Sequence, residues 1–477
     1  MNSGKFSTAG SILAFMYLCG NIFLGLALWN SGNLNFLASL MLLIAFFLSA
    51  GFYSYLIYIP VFRPATFSAY LFLTYGFLMP GLYVARTGDF YWPSTALDPD
   101  LILEAAFLTL LSILFAILGN FITLRKKRAV YTISTDSRIR ARQCLQTSNT
   151  QNWALILASL AVVGYISFLI AKFGLPIFIG TRQATSMYAD LIGLNSTTFA
   201  LTKTASQSLA LGLLVLSTFL RYRSEIRTQG TKFAVVAALA ANLVANNPLL
   251  VPRFWLVATL MAVLLCVFYR SFHRHRRSIY AVSPIAMFYL LPTLGSFNRL
   301  GTELDLSWNM MSPAELMSHG DLDGFQSMMN VVRLVDIDGL TFGGRIASAL
   351  LFFVPRSIWN GKYQTTGAEA AEAAGYSFTS ISMPLPGELY ADGGVFALAL
   401  GMFLTGWLLR ELDSRYRAYL SDITKNQPSS LPMIAVLLAG FAPILLRGSL
   451  LAVVSGFLVA CGLVVTWRTF TKLRVNL

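Results

Sequence analysis

Charge is scarce in this chain. Only 12% of its 477 residues are Asp, Glu, Lys or Arg, about half the ~25% usual for soluble globular proteins. Histidine is scarcer still at three residues, and cysteine stands at four. None of Cys19, Cys144, Cys266 and Cys461 pairs as C-x-x-C, so neither a zinc site nor a disulfide scaffold is signalled. So little charge over such a length excludes a disordered tail and a long soluble domain, because single water-soluble cores stop growing well before this size. What fills the chain instead is apolar: 56% hydrophobic residues and a mean hydropathy of +0.64. The class these numbers define is a polytopic membrane protein, read by the length of its apolar runs.

Twelve runs are long enough to cross a membrane, or nearly so. They fall near 8–29, 35–59, 66–86, 101–123, 152–173, 196–220, 232–249, 252–269, 279–297, 393–410, 430–446 and 448–467. The first has only Lys5 before it and no small-residue cleavage site, so it is expected to be a retained span rather than a cleaved signal peptide. The seventh is short, and Pro248 and Pro252 after it predict a tight hairpin at the membrane face.

The formal charge is +14. In a soluble protein that would point to nucleic acid; here topology explains it, and no nucleic-acid partner is expected. With both termini cytoplasmic, the basic connections all fall on one side: Arg125 to Arg142, Arg221 to Lys232, Arg270 to Arg277, Arg410 to Lys425, and Arg468 to Arg474. With Lys5 and Arg63 that side carries 24 of the 35 Lys and Arg but only five of the 21 acids. Cytoplasmic loops collect Lys and Arg, so this asymmetry orients the chain.

One connection is unlike the others. From about Asn298 to Asp392 no segment spans, and the inferred topology puts this stretch outside the cytoplasm. The chain therefore divides into a membrane part over 1–297, an extracytoplasmic loop over 298–392 and a second membrane part over 393–477. Loops of this length are functional or disordered. Its Trp, Phe, Leu and Met content predicts a folded cap on the membrane. Within it, Gly344–Phe353 is expected to be an interfacial or re-entrant helix stopped at Val354-Pro355, since proline cannot continue a helix.

Eleven basic residues escape the cytoplasmic sorting: Arg86, Lys172, Arg182, Lys203, Arg253, Arg299, Arg333, Arg345, Arg356, Lys362 and Arg447. Arginine near hydrocarbon is costly without a partner and marks a functional candidate. Arg253 and Arg356 are the sharpest. Each follows a proline beside aromatic residues at a predicted boundary, and guanidinium is suited to a two-point grip on phosphate. The bland alternative is a set of snorkelling anchors with Trp255 and Trp359 as interface residues. As a group they point to an anionic ligand reached from outside, and a lipid pyrophosphate fits. The acids gather in the same loop. His319-Gly-Asp321-Leu-Asp323-Gly holds the only histidine outside the basic loops and a D-x-D pair; Asp336 and Asp338 form a second. Two carboxylates can hold a divalent cation, one can deprotonate a hydroxyl, or the segment is simply a turn. Glu388, beside Pro386, is a further base candidate.

These residues in this order resemble a known family. The segments His319 to Phe325, Gly343 to Arg345, Phe353 to Trp359, Lys362, Thr366-Gly367, Ser382 to Tyr390 and Gly393-Gly394 are similar to those of the Wzy-type polymerases of oligosaccharide repeat units, which make O-antigen, capsule and exopolysaccharide. The likeness is concentrated in about 298–401; elsewhere it is a many-span profile, with Arg253 a further point. Where the family has Lys-Pro after the tryptophan, this chain has Lys362-Tyr363.

The resemblance implies an all-α fold of about twelve membrane helices of GT-C type, with the large extracytoplasmic loop between the ninth and tenth. It implies a bacterial inner-membrane enzyme working at the periplasmic face. Such an enzyme moves a growing glycan from undecaprenyl pyrophosphate onto the non-reducing sugar of a new undecaprenyl-pyrophosphate-linked repeat. It implies no cofactor, a divalent cation on the paired carboxylates staying open, and a Wzz-type chain-length regulator as a partner. In that scheme Arg253, Arg345 and Arg356 hold the leaving pyrophosphate. Arg182, Arg299, Arg333 and Lys362 bind the second pyrophosphate or the glycan. Asp321, Asp323 or His319 takes the proton, with Glu388 next. The nearest other enzyme is an O-antigen ligase with a lipid A-core acceptor; a lipid-linked glycan flippase is the non-enzymatic alternative, disfavoured by few mid-span charges and by the long loop.

Overall fold

The computed structural model describes residues 8–29, 35–92, 98–122, 137–223, 228–299, 312–379, 381–421 and 430–473, and over them the chain is helical without strands. The helices before the long connection are α1 (Thr8–Trp29), α2 (Phe36–Tyr58), α3 (Pro64–Leu71), α4 (Met79–Thr87), α5 (Pro99–Phe121), α6 (Ser137–Phe173), α7 (Arg182–Leu191), α8 (Ser196–Arg223), α9 (Gln229–Ala245), α10 (Arg253–Arg274) and α11 (Arg276–Arg299). After them come α12 (Pro313–Met317), α13 (Gly324–Asp338), α14 (Gly344–Leu350), α15 (Thr366–Ala373), α16 (Leu385–Ser421), α17 (Ser430–Arg447) and α18 (Leu450–Leu473).

Among the described residues ten helices are long and apolar enough to cross a membrane, which makes this a polytopic all-α membrane protein. They coincide with ten of the twelve expected runs. The other two fall on α9, which is apolar but has only 17 residues, and on α11, with 24. The third span is composite: α3 and α4 are joined through the π-helical stretch Phe72–Leu78. It is also the most enclosed, with 89% of its central window buried against 17% for α1, so α3–α4 lies at the centre and α1 at the edge.

Two boundaries differ from expectation. Helix α16 begins at Leu385, within the expected connection, with Pro386 in its first turn, where a missing N–H costs nothing. The helix then breaks at Gly393–Gly394, where Gly394 has φ +66°, a left-handed conformation suited to glycine. The helix at Gly344 ends at Leu350, not at Val354-Pro355. Nor does the connection lie wholly on top of the spans. Helix α13 packs against α5, α15 and α16, and every side chain from Gly324 to Val332 is buried.

Hydrogen bonds across the bundle sort its two ends. At one end Arg63, Asn120, Arg410 and Asp413 meet, and Arg276 reaches Ile59. At the other, the start of α10, the end of α17 and the turn between α12 and α13 come together. Helix α5 crosses α16 with backbones touching. A Cβ on Gly119 would stand 1.9 Å from the Phe403 carbonyl oxygen, and one on Gly406 2.0 Å from that of Ala116. Without a hydrophobic drive between helices in lipid, such close approach of small residues is what holds a pair together.

Gly406→Leu should therefore force α5 and α16 apart, at a cost of about 1–3 kcal/mol or more. A lower thermal midpoint and loss of a monodisperse peak in detergent are expected. Gly462→Ala, where an added Cβ meets no atom within 4 Å, should change neither; equal behaviour of the two variants would refute the close-packing account.

Candidate active site

The turn His319–Asp323 is built by its neighbours. Helix α12 starts in a capping box between Ser312 and Glu315, ends at Met317, and Leu322 N–H closes the turn on the His319 carbonyl at 2.8 Å. Tyr91 lies so close to Gly320 that a Cβ there would stand 2.3 Å from its ring, which accounts for glycine at this position. The turn exposes little of its carboxylates: Asp321 is 7% and Asp323 5% accessible.

Two guanidinium groups from separate spans converge on it. Arg253, in the first turn of α10 after Pro252, pairs with Asp321 Oδ2. Arg447, the last residue of α17, donates from Nε to the Asp321 carbonyl at 2.8 Å. Its Nη2 donates to the Gly320 carbonyl at 2.8 Å and to Asp323 Oδ1 at 3.3 Å. Phe254 lies under the Arg447 guanidinium, 4.9 Å from it. The hairpin at Pro248–Pro252 is present, and it aims Arg253. Asn246 caps α9, and its Oδ1 accepts from Trp255 Nε1 at 2.7 Å, so Trp255 is a buried strut rather than an interface residue.

The two carboxylates have different environments. Asp323 is fully engaged: Trp92 Nε1 donates to Oδ2 at 2.8 Å, and Ser382 Oγ donates to Oδ1 at 2.5 Å. Asp321 is ion-paired through a buried Oδ2, and no hydrogen bond among the described residues reaches its Oδ1. Burial pushes the Asp321 carboxyl up, but the His319 hydrogen bond and the Arg447 and Arg253 charges outweigh it and hold it below the ordinary carboxylate range. The His319 imidazole sits with Nδ1 3.4 Å from Asp321 Oδ2 and 3.2 Å from the Asp321 N–H. Carrying a proton, Nδ1 donates to Asp321 Oδ2; without one, it accepts from the Asp321 N–H. Beside the turn is a narrow recess lined by Tyr91, Ser318, His319, Asp323 and Gln326.

Of the residues expected at a site, the structure brings together Arg253, His319, Asp321 and Asp323. Among the described residues no hydrogen bond or ion pair joins the rest to this turn. Arg345 is 4% exposed; it donates to Glu369 at 2.8 Å and to the Ala391 carbonyl at 2.9 Å and stacks over Tyr363. Lys362 closes the turn after α14 by donating to the carbonyls of Leu351, Phe352 and Val354 at 2.9–3.2 Å. Arg356 is exposed on that same turn, with one 3.4 Å contact to the Tyr363 carbonyl. Arg333 is half-buried on α13 with no polar partner among the described residues. Glu388 is buried and spent as a remote cap: it accepts from Thr366 Oγ1 and, at 2.8 Å, from Leu450 N–H at the start of α18. The side chains of Arg182 and Arg299 lie outside the described residues. Arg447, Trp92 and Ser382 complete the site without having been expected there, although Arg447 had a signal, as a base on the side that should lack them, and Ser382 opens a segment that carries the family resemblance. Among the described residues no group of three or more His, Cys, Asp or Glu is placed to hold a metal ion.

No family model, curated protein or solved structure matches this chain.

Because the Asp321 carboxyl is held low when folded, its stabilisation is complete above the usual carboxylate range, near pH 4, and is lost as pH falls through the lowered value. Asp321→Asn should cost about 3–5 kcal/mol at neutral pH by removing the carboxylate that Arg253 meets, and should flatten the fall of the thermal midpoint on acidification. An acid-dependent loss as steep as in the unmodified protein would show that Asp321 is not the group responsible.

Proposed function

We propose that the chain is a polysaccharide polymerase of the Wzy type. It transfers a growing glycan from undecaprenyl pyrophosphate to the non-reducing end of a new undecaprenyl-pyrophosphate-linked repeat unit, at the outer face of a bacterial cytoplasmic membrane. The observation that carries this reading is the convergence of Arg253 and Arg447 on a carboxylate and an imidazole at the end of the bundle opposite the basic connections. By the sorting of basic residues that end faces outward.

The chemistry needs positive charge where the leaving diphosphate gains negative charge, in a water-poor place. Arg253 and Arg447 supply it. The Nη1 group of Arg447 has no acceptor among the described residues and is available to a phosphate oxygen. The acceptor hydroxyl attacks the anomeric carbon, the bond from that carbon to the phosphate oxygen breaks, and the proton passes to the free Oδ1 of Asp321. A single displacement inverts the anomeric centre. Asp323, tied to Trp92, Ser382 and Arg447, is a positioning residue that holds the turn. The long lipid tails stay in the membrane and enter between spans.

Arg253→Ala and Arg447→Ala, reconstituted in vesicles with the lipid-linked repeat unit, should each slow polymer formation by about 10²–10³-fold, the loss typical of one charge-stabilising donor. Arg356→Ala, on the exposed turn, should lose less. Normal polymer from both the Arg253 and Arg447 variants would sink the proposal. The position of His319 beside the guanidinium pair also suits an O-antigen ligase, and acceptor choice decides: polymer from the lipid-linked repeat alone means a polymerase, and transfer only to a lipid A-core means a ligase.

A further inference from the structure

The opposite end of the bundle holds a second gathering of charge that the proposed reaction does not use. A carboxylate there, Asp413, is fully buried, and both of its oxygens are spent on the first turn of α3: Oδ1 accepts from Ala65 N–H and Oδ2 from Thr66 N–H, each at 2.9 Å. Three guanidinium groups surround this cap within electrostatic reach of one another. Arg63 is 7% exposed, and its Nε is buried with no hydrogen-bond partner. Its strongest polar contact from the side chain is a 3.5 Å approach to Asn120 Oδ1. Arg410 donates to the carbonyl of the same Asn120 at 2.6 Å, and Arg417 donates to the Asp413 carbonyl at 3.2 Å.

Among the described residues none of the three meets a carboxylate within 4 Å. Carbonyl oxygens lower the cost of these charges but do not neutralise them, and uncompensated guanidinium at a membrane boundary is unfavourable. Arg410 and Arg417 are half-buried, so the cluster is open on one side, between the start of α3, the end of α5 and the last turns of α16. A multiply accepting, compact anion fits such a fork, and basic pockets between spans on the side rich in Lys and Arg hold phosphate headgroups.

We propose that Arg63, Arg410 and Arg417 form a binding site for a phosphate group, supplied by the headgroup of an anionic phospholipid of the leaflet at that end. The site requires only that the chain spans a membrane and is independent of the polymerase reading.

The test uses the full chain purified in neutral detergent, with native mass spectrometry counting bound phosphatidylglycerol and, in a separate arm, thermal unfolding with added inorganic phosphate. The unmodified protein should retain phosphatidylglycerol. The double variant Arg410→Gln/Arg417→Gln should bind it about 25-fold more weakly, at about fivefold per guanidinium removed. Lys232→Gln, an exposed base at the start of α9, should bind as the unmodified protein does. Stabilisation by inorganic phosphate that the double variant loses supports the same site with a free anion as its source. Equal lipid retention by the double variant overturns the proposal. Should that variant fail to fold, photo-crosslinking of the unmodified protein with an azido-phosphatidylglycerol decides: adducts around residues 63–66 and 410–417 support the site, and adducts confined to other segments overturn it.

Discussion

A charged group at the end of a membrane helix must find either water or a counter-charge, and much of this architecture follows from how that demand is met. At the turn between α12 and α13 the demand is met by pairing: Arg253 and Arg447, contributed by two different spans, close on Asp321 and Asp323 and on the backbone carbonyls of the turn. The pairing ties the starts and ends of spans far apart in sequence to one short connection. It also leaves atoms over, since among the described residues Asp321 Oδ1 and Arg447 Nη1 are not consumed. A network satisfied at every atom would be a clasp; among the described residues this one keeps an acceptor and a donor in hand.

The spans were legible because apolar run length is a property of local sequence. Each expected run falls on a helix, and where the ends moved the reason is local too, as with Pro386 opening α16 eight residues early. Arg253 and the His319–Asp323 turn were legible from proline, aromatic and Asp-Gly context. Arg447 was visible as a base on the unfavoured side, but its partner Asp323 lies 124 residues away and Trp92 pairs across 231. Contacts at that separation leave no pattern along the chain. Glu388, Arg345 and Lys362 show the converse. Their residue types suit chemistry, yet Glu388 caps α18, Arg345 locks the start of α14 against Glu369, and Lys362 gathers three carbonyls. Charge identity can be read from sequence; whether that charge is already spent cannot.

The two ends of the bundle treat arginine differently. At the turn of α12 and α13 guanidinium meets carboxylate, while at the Asp413 end three guanidinium groups surround one carboxylate already committed to a helix cap. The first arrangement suits a ligand that arrives and leaves, because the pairs re-form when the site empties. The second suits a ligand that stays, because no carboxylate among the described residues lies within 4 Å of any of the three. That contrast is compatible with a turnover site on one face and a structural lipid on the other.

The central claim is that Arg253 and Arg447 together grip a diphosphate. A structure of the protein with undecaprenyl pyrophosphate bound in a lipid disc tests it most directly. The account predicts phosphate oxygens within hydrogen-bond distance of both guanidinium groups and beside Asp321 Oδ1. A diphosphate seated elsewhere, with the Arg253–Asp321 and Arg447–Asp323 contacts undisturbed and remote from it, would contradict it.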